Sequence, residues 1–354
     1  MAKLKNNILV LHKSGANSHY KALELLAHNE GYTIIYREFS VLSRMFKSII
    51  KLDFRLFIKQ WKNLFTLLQL LFTSNEKIVL GIAPYDKTLL RLRNMLRGHQ
   101  IYYHTSWPIW DGTHFPKKKG VNHKVKKEWK AFLEEQVKLV FAVTETAKES
   151  LKSNYNLKRE PAVVGHAFHK INFFKVNDSI PVEGISFCYV GRLVEQKGVM
   201  ELLEFFKGKN EVTFTIIGNG KLENEVKSFV DKYDHINYLP ATHNRSVLNH
   251  LFNTTDYLVL NSKKTAKWQE LFGMVIIEAM AAGCIPIATA HIGPKEIISD
   301  QHDGFLFQEE QFINNLSTFL NHKPSQELMK NAIKKAANYE INEVAKNWKD
   351  ILKD

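Results

Sequence analysis

The chain has 354 residues, 45% of them apolar and 24% charged, with 17 Gly and 9 Pro; this excludes a collagen-like, low-complexity or largely disordered protein and leaves room for two domains. Its two cysteines, Cys188 and Cys284, cannot make a disulfide framework or a four-ligand zinc site. The net charge of +13 is uneven: residues 1–170 carry 29 Lys and Arg against 13 Asp and Glu, the remainder 20 against 23, so the first half is the one suited to an acidic partner.

The N-terminus holds only a short apolar run, Ile8–Leu11, too brief for a signal peptide, and no run approaches the ~18–20 apolar residues of a membrane-spanning helix. A cytoplasmic location is expected. The first strand, Ile8–Leu11, is followed by Ser14-Gly15-Ala16 and a helical pattern over Ser18–His28, then a strand at Thr33–Tyr36.

Residues 43–72 follow. Arg44, Lys47, Lys51, Arg55, Lys59 and Lys62 recur at helical spacing, beside a second stripe of Phe46, Ile50, Phe54, Phe57, Trp61, Leu64, Leu68 and Leu71. The spacing predicts a basic amphipathic helix, or two end to end. Such a stripe either packs on the core or lies in an anionic membrane surface. Further strands are expected at Ile78–Ile82, Ile101–His104, Val140–Val143 and Ala162–Val164, with helices over Lys124–Lys138 and Thr144–Ser153. Between them, residues 115–130 contain seven lysines, a candidate phosphate-docking loop or a solvated one.

Residues 169–184 lack periodicity and read as the linker between a domain over 1–168 and a second over 185–335. The remainder, 336–354, reads as a C-terminal helix returning to the first domain. In the second half, strands are expected at Ser186–Val190, Thr213–Ile217, Ile236–Leu239, Tyr257–Leu260 and Ile285–Ala288, separated by helices. Alternation of buried strands and helices predicts an α/β architecture of two Rossmann-like, doubly wound domains. Ligands of such sheets bind beyond the carboxyl ends of the strands, so the expected site is a cleft across which the two domains face each other.

Three motifs sit at strand ends. Gly191-Arg192, with Lys197-Gly198 downstream, supplies a tight turn, a guanidinium fork and an ammonium suited to phosphate. Gly218-Asn219-Gly220 is a strand-to-helix turn that lacks the third glycine and acidic partner of a dinucleotide fingerprint. The strongest is Glu270-x7-Glu278, with Phe272-Gly273 preceding a helix that starts near Met274 and Val275. Unpaired amides at that helix start attract a phosphate-bearing ligand, and the two carboxylates suit sugar and ribose hydroxyls.

Together with Ala279-Met280-Ala281-Ala282-Gly283, these motifs resemble the family 4 retaining glycosyltransferases of GT-B fold, of the bacterial cell-surface polysaccharide or lipopolysaccharide type. The resemblance is dense from Phe187 to Phe307. It implies that Arg192 and Lys197 hold the donor diphosphate, that Glu270 and the amides of Phe272, Gly273, Met274 and Val275 contact sugar and phosphate, and that Glu278 binds the ribose. Gly191, Gly218, Asn219 and Gly220 would lie near the nucleotide, Gly15 would belong to the first-domain glycine loop, and His104 would touch the donor sugar. The expected activity is a hexosyltransferase using a nucleotide-diphosphate sugar, with a glycan or lipid-linked acceptor. The chain contains no Asp-x-Asp, so no metal or other cofactor is expected. A peripheral position on the inner face of the membrane is expected through residues 43–72. A nucleotide-sugar epimerase or phosphorylase of the same fold remains an alternative, as does, from another class, a basic nucleic-acid-binding protein that would account for the charge of the first half. Nucleic acid is not an expected partner, because no helix-turn-helix, RNA-recognition or zinc signature accompanies the charge.

Overall fold

Apolar runs rich in Ile, Val, Leu and Tyr have nowhere to expose a polar face, so they become parallel strands covered on both sides by helices. In the computed structural model, which describes residues 6–13, 17–113, 115, 121–176, 184–265 and 268–353, they form two six-stranded sheets whose pairings are all parallel. The chain divides into two compact units, Met1–His166 with Val344–Asp354, and Ala167–Glu343.

The sheet of the first unit holds β1 (Asn7–His12), β2 (Thr33–Glu38), β3 (Lys77–Gly81), β4 (Gln100–Thr105), β5 (Val137–Ala142) and β6 (Ala162–Val163) in the order β2-β1-β3-β4-β5-β6. Its helices are α1 (Lys21–Asn29), α2 (Val41–Ile50), α3 (Phe54–Gln69), α4 (Leu89–Met95), α5 (His123–Ala131) and α6 (Glu145–Asn154). The helix expected over Lys124–Lys138 ends at Ala131; a wider turn over Phe132–Gln136 follows, and the backbone is already strand at Val137. Burial of Val137 and Leu139 in the sheet overrides the helical spacing of the lysines.

The amphipathic stretch is two helices. Leu52 takes a left-handed backbone (φ 51°), and the carboxylate of Asp53 caps α3 by accepting from the Leu56 amide at 2.9 Å. Both helices are pinned to β2 by the buried Glu38, which accepts from Arg44 (2.6 Å), Lys59 (2.9 Å) and Gln60 (2.9 Å). Burial alone would raise the Glu38 pKa, but the hydrogen bonds from Lys59, Gln60 and Arg44 outweigh it and hold the carboxyl below its ordinary range. Two of the six stripe cations are therefore structural.

The C-terminal residues pack on the first unit. Trp348 is buried against Phe141, with ring centroids 4.4 Å apart, and the Ile351 carbonyl accepts from Lys77 at 3.0 Å and Tyr102 at 3.2 Å.

The second unit contains β7 (Ile185–Val190), β8 (Val212–Gly218), β9 (Ile236–Pro240), β10 (Tyr257–Leu260), β11 (Ile285–Thr289) and β12 (Phe305–Phe307), ordered β12-β11-β10-β7-β8-β9. Its helices are α7 (Val199–Phe206), α8 (Glu223–Val230), α9 (Arg245–Asn253), α10 (Met274–Ala281), α11 (Ile292–Ile297), α12 (Phe312–Leu316) and α13 (Gln326–Ala337), with α14 (Ile341–Asn347) straddling the boundary between units. Within the segment expected as linker, residues 169–176 belong to this unit. Asn249 and Asn253 on α9 accept from the amides of Phe174 (3.0 Å) and Val176 (2.7 Å), tying down irregular backbone by side-chain amides, which no periodicity announces. Residues 177–183 lie outside the described residues.

Candidate functional site

At the carboxyl end of β7 the chain turns through Gly191 and Arg192, and the neighbouring turn after β8 is laced to it. The Leu193 amide donates to the Asn219 carbonyl at 2.8 Å, and the Leu222 amide to the Leu193 carbonyl at 3.0 Å. The two turns approach so closely that a Cβ on Gly218 would sit 2.0 Å from the Gly191 carbonyl oxygen, and one on Gly220 2.2 Å from that of Leu193. These glycines are therefore required by backbone contact. We expect Gly218→Ala to force the turns apart and cost about 1–3 kcal/mol in urea denaturation, with weakened donor binding; an unchanged midpoint would show that the turns are not held together.

Lys197 lies in a short turn over Glu195–Lys197, before Gly198 opens α7 in the left-handed region (φ 63°). Its ammonium pairs with the Glu270 carboxylate and sits 5.0 Å from the centroid of the Trp268 ring; both members of the pair are largely buried. Arg192 is exposed, and its guanidinium makes no hydrogen bond or ion pair with the described residues. Of the two cations expected at the diphosphate, one is preorganised against a carboxylate and the other is open to solvent.

Glu270 is fixed through its backbone. Its amide donates to His291 Nδ1 at 3.2 Å, and its carbonyl accepts from Gly293 at 3.0 Å. His291 is itself held by Glu309, with Nε2 2.8 Å from Oε1. Gly293 cannot be replaced, since a Cβ there would lie 2.2 Å from the Phe272 nitrogen. Phe272 is buried and Gly273 (φ 100°) opens α10. The amides of Met274 and Val275 make no hydrogen bond with the described residues; they are open donors at a helix start beside Lys197 and Glu270.

Glu278 is buried within α10. Burial pushes its carboxyl up to about 7, opposed by the Arg245 guanidinium, whose Nη1 lies 3.1 Å from Oε1. Arg245 begins α9, where Asn244 caps the helix by accepting from Ser246 at 3.0 Å, and its guanidinium lies 5.7 Å from the Phe173 ring centroid. Sequence reading does not single out Arg245. The available signal is a cation in the first turn of a helix, where the dipole disfavours it, so a local cost marks a compensating partner.

Among the expected residues of the first unit, Gly15 lies outside the described residues. His104 is the last residue but one of β4, buried, with Nδ1 3.2 Å from the Tyr20 hydroxyl and its ring 5.4 Å from that of Trp348. Three more histidines gather there: His12 at the end of β1, and His19 and His166 with ring centroids 5.0 Å apart. Burial lowers all four pKa values, His104 well below the ordinary 6.5 and His166 to about 4. A cluster of neutral imidazoles thus lines the carboxyl end of this sheet. The sequence shows the individual histidines; their convergence comes from strand order.

Compared with known proteins, residues 171–338 match the family described as Glycosyl transferases group 1. An uncharacterized glycosyltransferase of Methanocaldococcus jannaschii is 34% identical over 123 residues, 34% of this chain and 33% of that protein, so the chain matches about a third of the length of this curated relative. HepE of Anabaena, solved in complex with UDP and glucose, aligns over 98% of this chain and 99% of its own at 15% identity, with a TM-score of 0.66. Sucrose-phosphate synthase of Thermosynechococcus elongatus aligns over 98% of each chain at 14% identity and a TM-score of 0.71. A glycosyltransferase of Rickettsia africae aligns over 99% of each chain at 17% identity and 0.68. The two parallel six-stranded sheets with flanking helices are the GT-B fold.

Proposed function

From a chain of GT-B fold that carries a glycosyl transferases group 1 domain over residues 171–338, we propose a retaining hexosyltransferase that takes its sugar from a UDP-sugar and passes it to a glycan or lipid-linked acceptor without a metal ion. The observation that carries this reading is the Lys197–Glu270 pair set beside the open amides of Met274 and Val275. A donor diphosphate can take over the ammonium and the amides, leaving Glu270 to accept from sugar hydroxyls. As the glycosidic bond breaks, Lys197, Arg192 and the helix start stabilise the charge growing on the leaving diphosphate, with no reorganisation needed at that moment. The acceptor attacks from the same face, and the leaving phosphate takes its proton. Glu278 binds the ribose, and His104 is assigned to the donor sugar. The bound UDP and glucose of HepE favour uridine as the base. Within this reading the acceptor belongs to cell-surface polysaccharide synthesis of the family 4 type.

The test is release of UDP from a panel of UDP-sugars. A transferase releases UDP only in proportion to acceptor glycosylated; an epimerase leaves UDP attached to the sugar, and a phosphorylase needs inorganic phosphate. Failure of every UDP-sugar to turn over or to raise the melting temperature would overturn the donor assignment.

We further propose that the protein works at a membrane surface. No helix among the described residues is long and apolar enough to cross a membrane. On α2 and α3, however, Phe46 (68%), Phe54 (77%) and Phe65 (69%) are largely exposed, and Leu52 and Phe72 flank them at 88% and 87%. Lys47, Lys51, Arg55 and Lys62 make no ion pairs with the described residues. Apolar side chains interleaved with unpaired cations fit an anionic bilayer surface. In co-sedimentation, the full chain is expected to bind phosphatidylglycerol-containing vesicles at low salt and to lose binding in the Phe46→Glu/Phe54→Glu variant. Equal recovery with neutral vesicles would oppose the electrostatic part, and no binding at low salt would end the proposal.

A further inference from the structure

Under α3, on the first unit, lies a groove of about 660 Å³ that the sugar chemistry does not use, a volume in the range of small-molecule sites. Leu9 of β1, Ile35 of the edge strand β2, and Trp61, Phe65 and Leu70 of the α3 region form its apolar wall. Arg37 and Lys62 also line it. Arg37 is oriented by the protein: Nε donates to the Thr66 hydroxyl at 2.8 Å and Nη1 to the Tyr36 carbonyl at 2.9 Å. Its Nη2 has no acceptor among the described residues, and Lys62 makes no ion pair with them.

Two observations say what covers this groove. Trp61 and Phe65 both line it and stand on the surface, 51% and 69% exposed, so its apolar wall runs without a break into the exposed face of α2 and α3. The charge around its mouth is mainly positive: Arg37 and Lys62 line it against one acid, Glu76. Within residues 43–72 the single acid, Asp53, is spent as a helix cap, leaving unpaired cations that select an anion. An occupant with a long apolar portion and a phosphate head satisfies both.

We infer that the groove takes up one acyl chain of an anionic phospholipid, with Arg37 and Lys62 meeting its phosphodiester. The groove then acts as a site for a single lipid molecule, distinct from the general adhesion of the helix face. This deepens the membrane reading and rests on it for the source of the lipid, but a soluble lipid tests it separately.

The probe is dihexanoyl phosphatidylglycerol kept below its micellar concentration, titrated calorimetrically into the full chain. One saturable site is expected. Gln69→Phe, which fills the groove from an exposed lining position, and Arg37→Met, which removes the oriented cation, should each weaken binding about tenfold. Dihexanoyl phosphatidylcholine should bind more weakly by a similar factor. Phe46→Glu/Phe54→Glu, away from the groove, should leave the short-chain affinity unchanged while abolishing vesicle binding. Undiminished binding by Gln69→Phe, or full displacement by equimolar inorganic phosphate, would overturn the acyl-chain site. Absence of short-chain binding with vesicle binding intact overturns the groove alone; the reverse pattern overturns the membrane reading alone.

Discussion

Replacing Lys197 with alanine is expected to lower kcat for UDP-sugar turnover by about 10²- to 10³-fold, the usual consequence of losing one transition-state donor, while donor KM moves only a few-fold. The split follows from what the ammonium does. In the unliganded protein it is already neutralised by Glu270 and held over Trp268, so binding the donor exchanges one anionic partner for another with little net gain. The gain comes later, when negative charge accumulates on the diphosphate in a largely buried setting where each donor counts for more. Lys197→Arg should recover part of kcat, because the charge survives though the geometry changes. Removing the lysine also strands the Glu270 carboxylate, so the melting temperature should fall slightly. A kcat within twofold of the parent enzyme, with that fall present, would show the pair to be structural only.

Glu278→Gln is expected to separate stability from donor binding. Burial raises the folded-state pKa of Glu278 from the ordinary 4.5 to about 7, so between those values the folded chain holds a proton that the unfolded chain has released. Stability from this group therefore declines as pH climbs from about 4.5 to about 7 and is level above, a loss on the order of 3 kcal/mol. Glutamine removes that decline, so the variant should melt higher than the parent at pH 8 and not at pH 4. Donor binding should go the other way. Ionised Glu278 is the stronger acceptor for a ribose diol, so the parent donor KM should fall as pH rises through about 7, while the variant KM stays flat and about tenfold higher at pH 8. Arg245→Ala withdraws the cation that opposes the burial effect, so the midpoint of the KM profile should move to higher pH. A parent KM that ignores pH between 6 and 8 would remove Glu278 from the ribose.

Most of the fold is legible in the sequence because strands buried on both faces can only be apolar throughout. Ile8–Leu11, Ile101–His104 and Tyr257–Leu260 announce themselves by composition, and the ends of Ser186–Val190 and Thr213–Ile217 locate the glycine turns. Element ends are less visible. Nothing in Lys124–Lys138 warns that the helix yields at Ala131, since the lysine spacing stays helical while Val137 is claimed by a sheet it meets only in the folded chain.

The candidate site divides in the same way. The chain's own order determines that Arg192 falls just beyond the carboxyl end of β7, that Lys197 follows in the turn before α7, and that Glu270 and Glu278 bracket the glycine start of α10, because local spacing and parallel topology suffice to place them. Tertiary structure alone decides that Lys197 meets Glu270 rather than solvent, that Arg245 reaches Glu278 from another helix, that Glu38 takes two cations out of the basic stripe of residues 43–72, and that a groove opens beneath α3. Each of these joins residues far apart in the chain, and their energies depend on how much water is excluded around them, a quantity set by packing and absent from any local pattern.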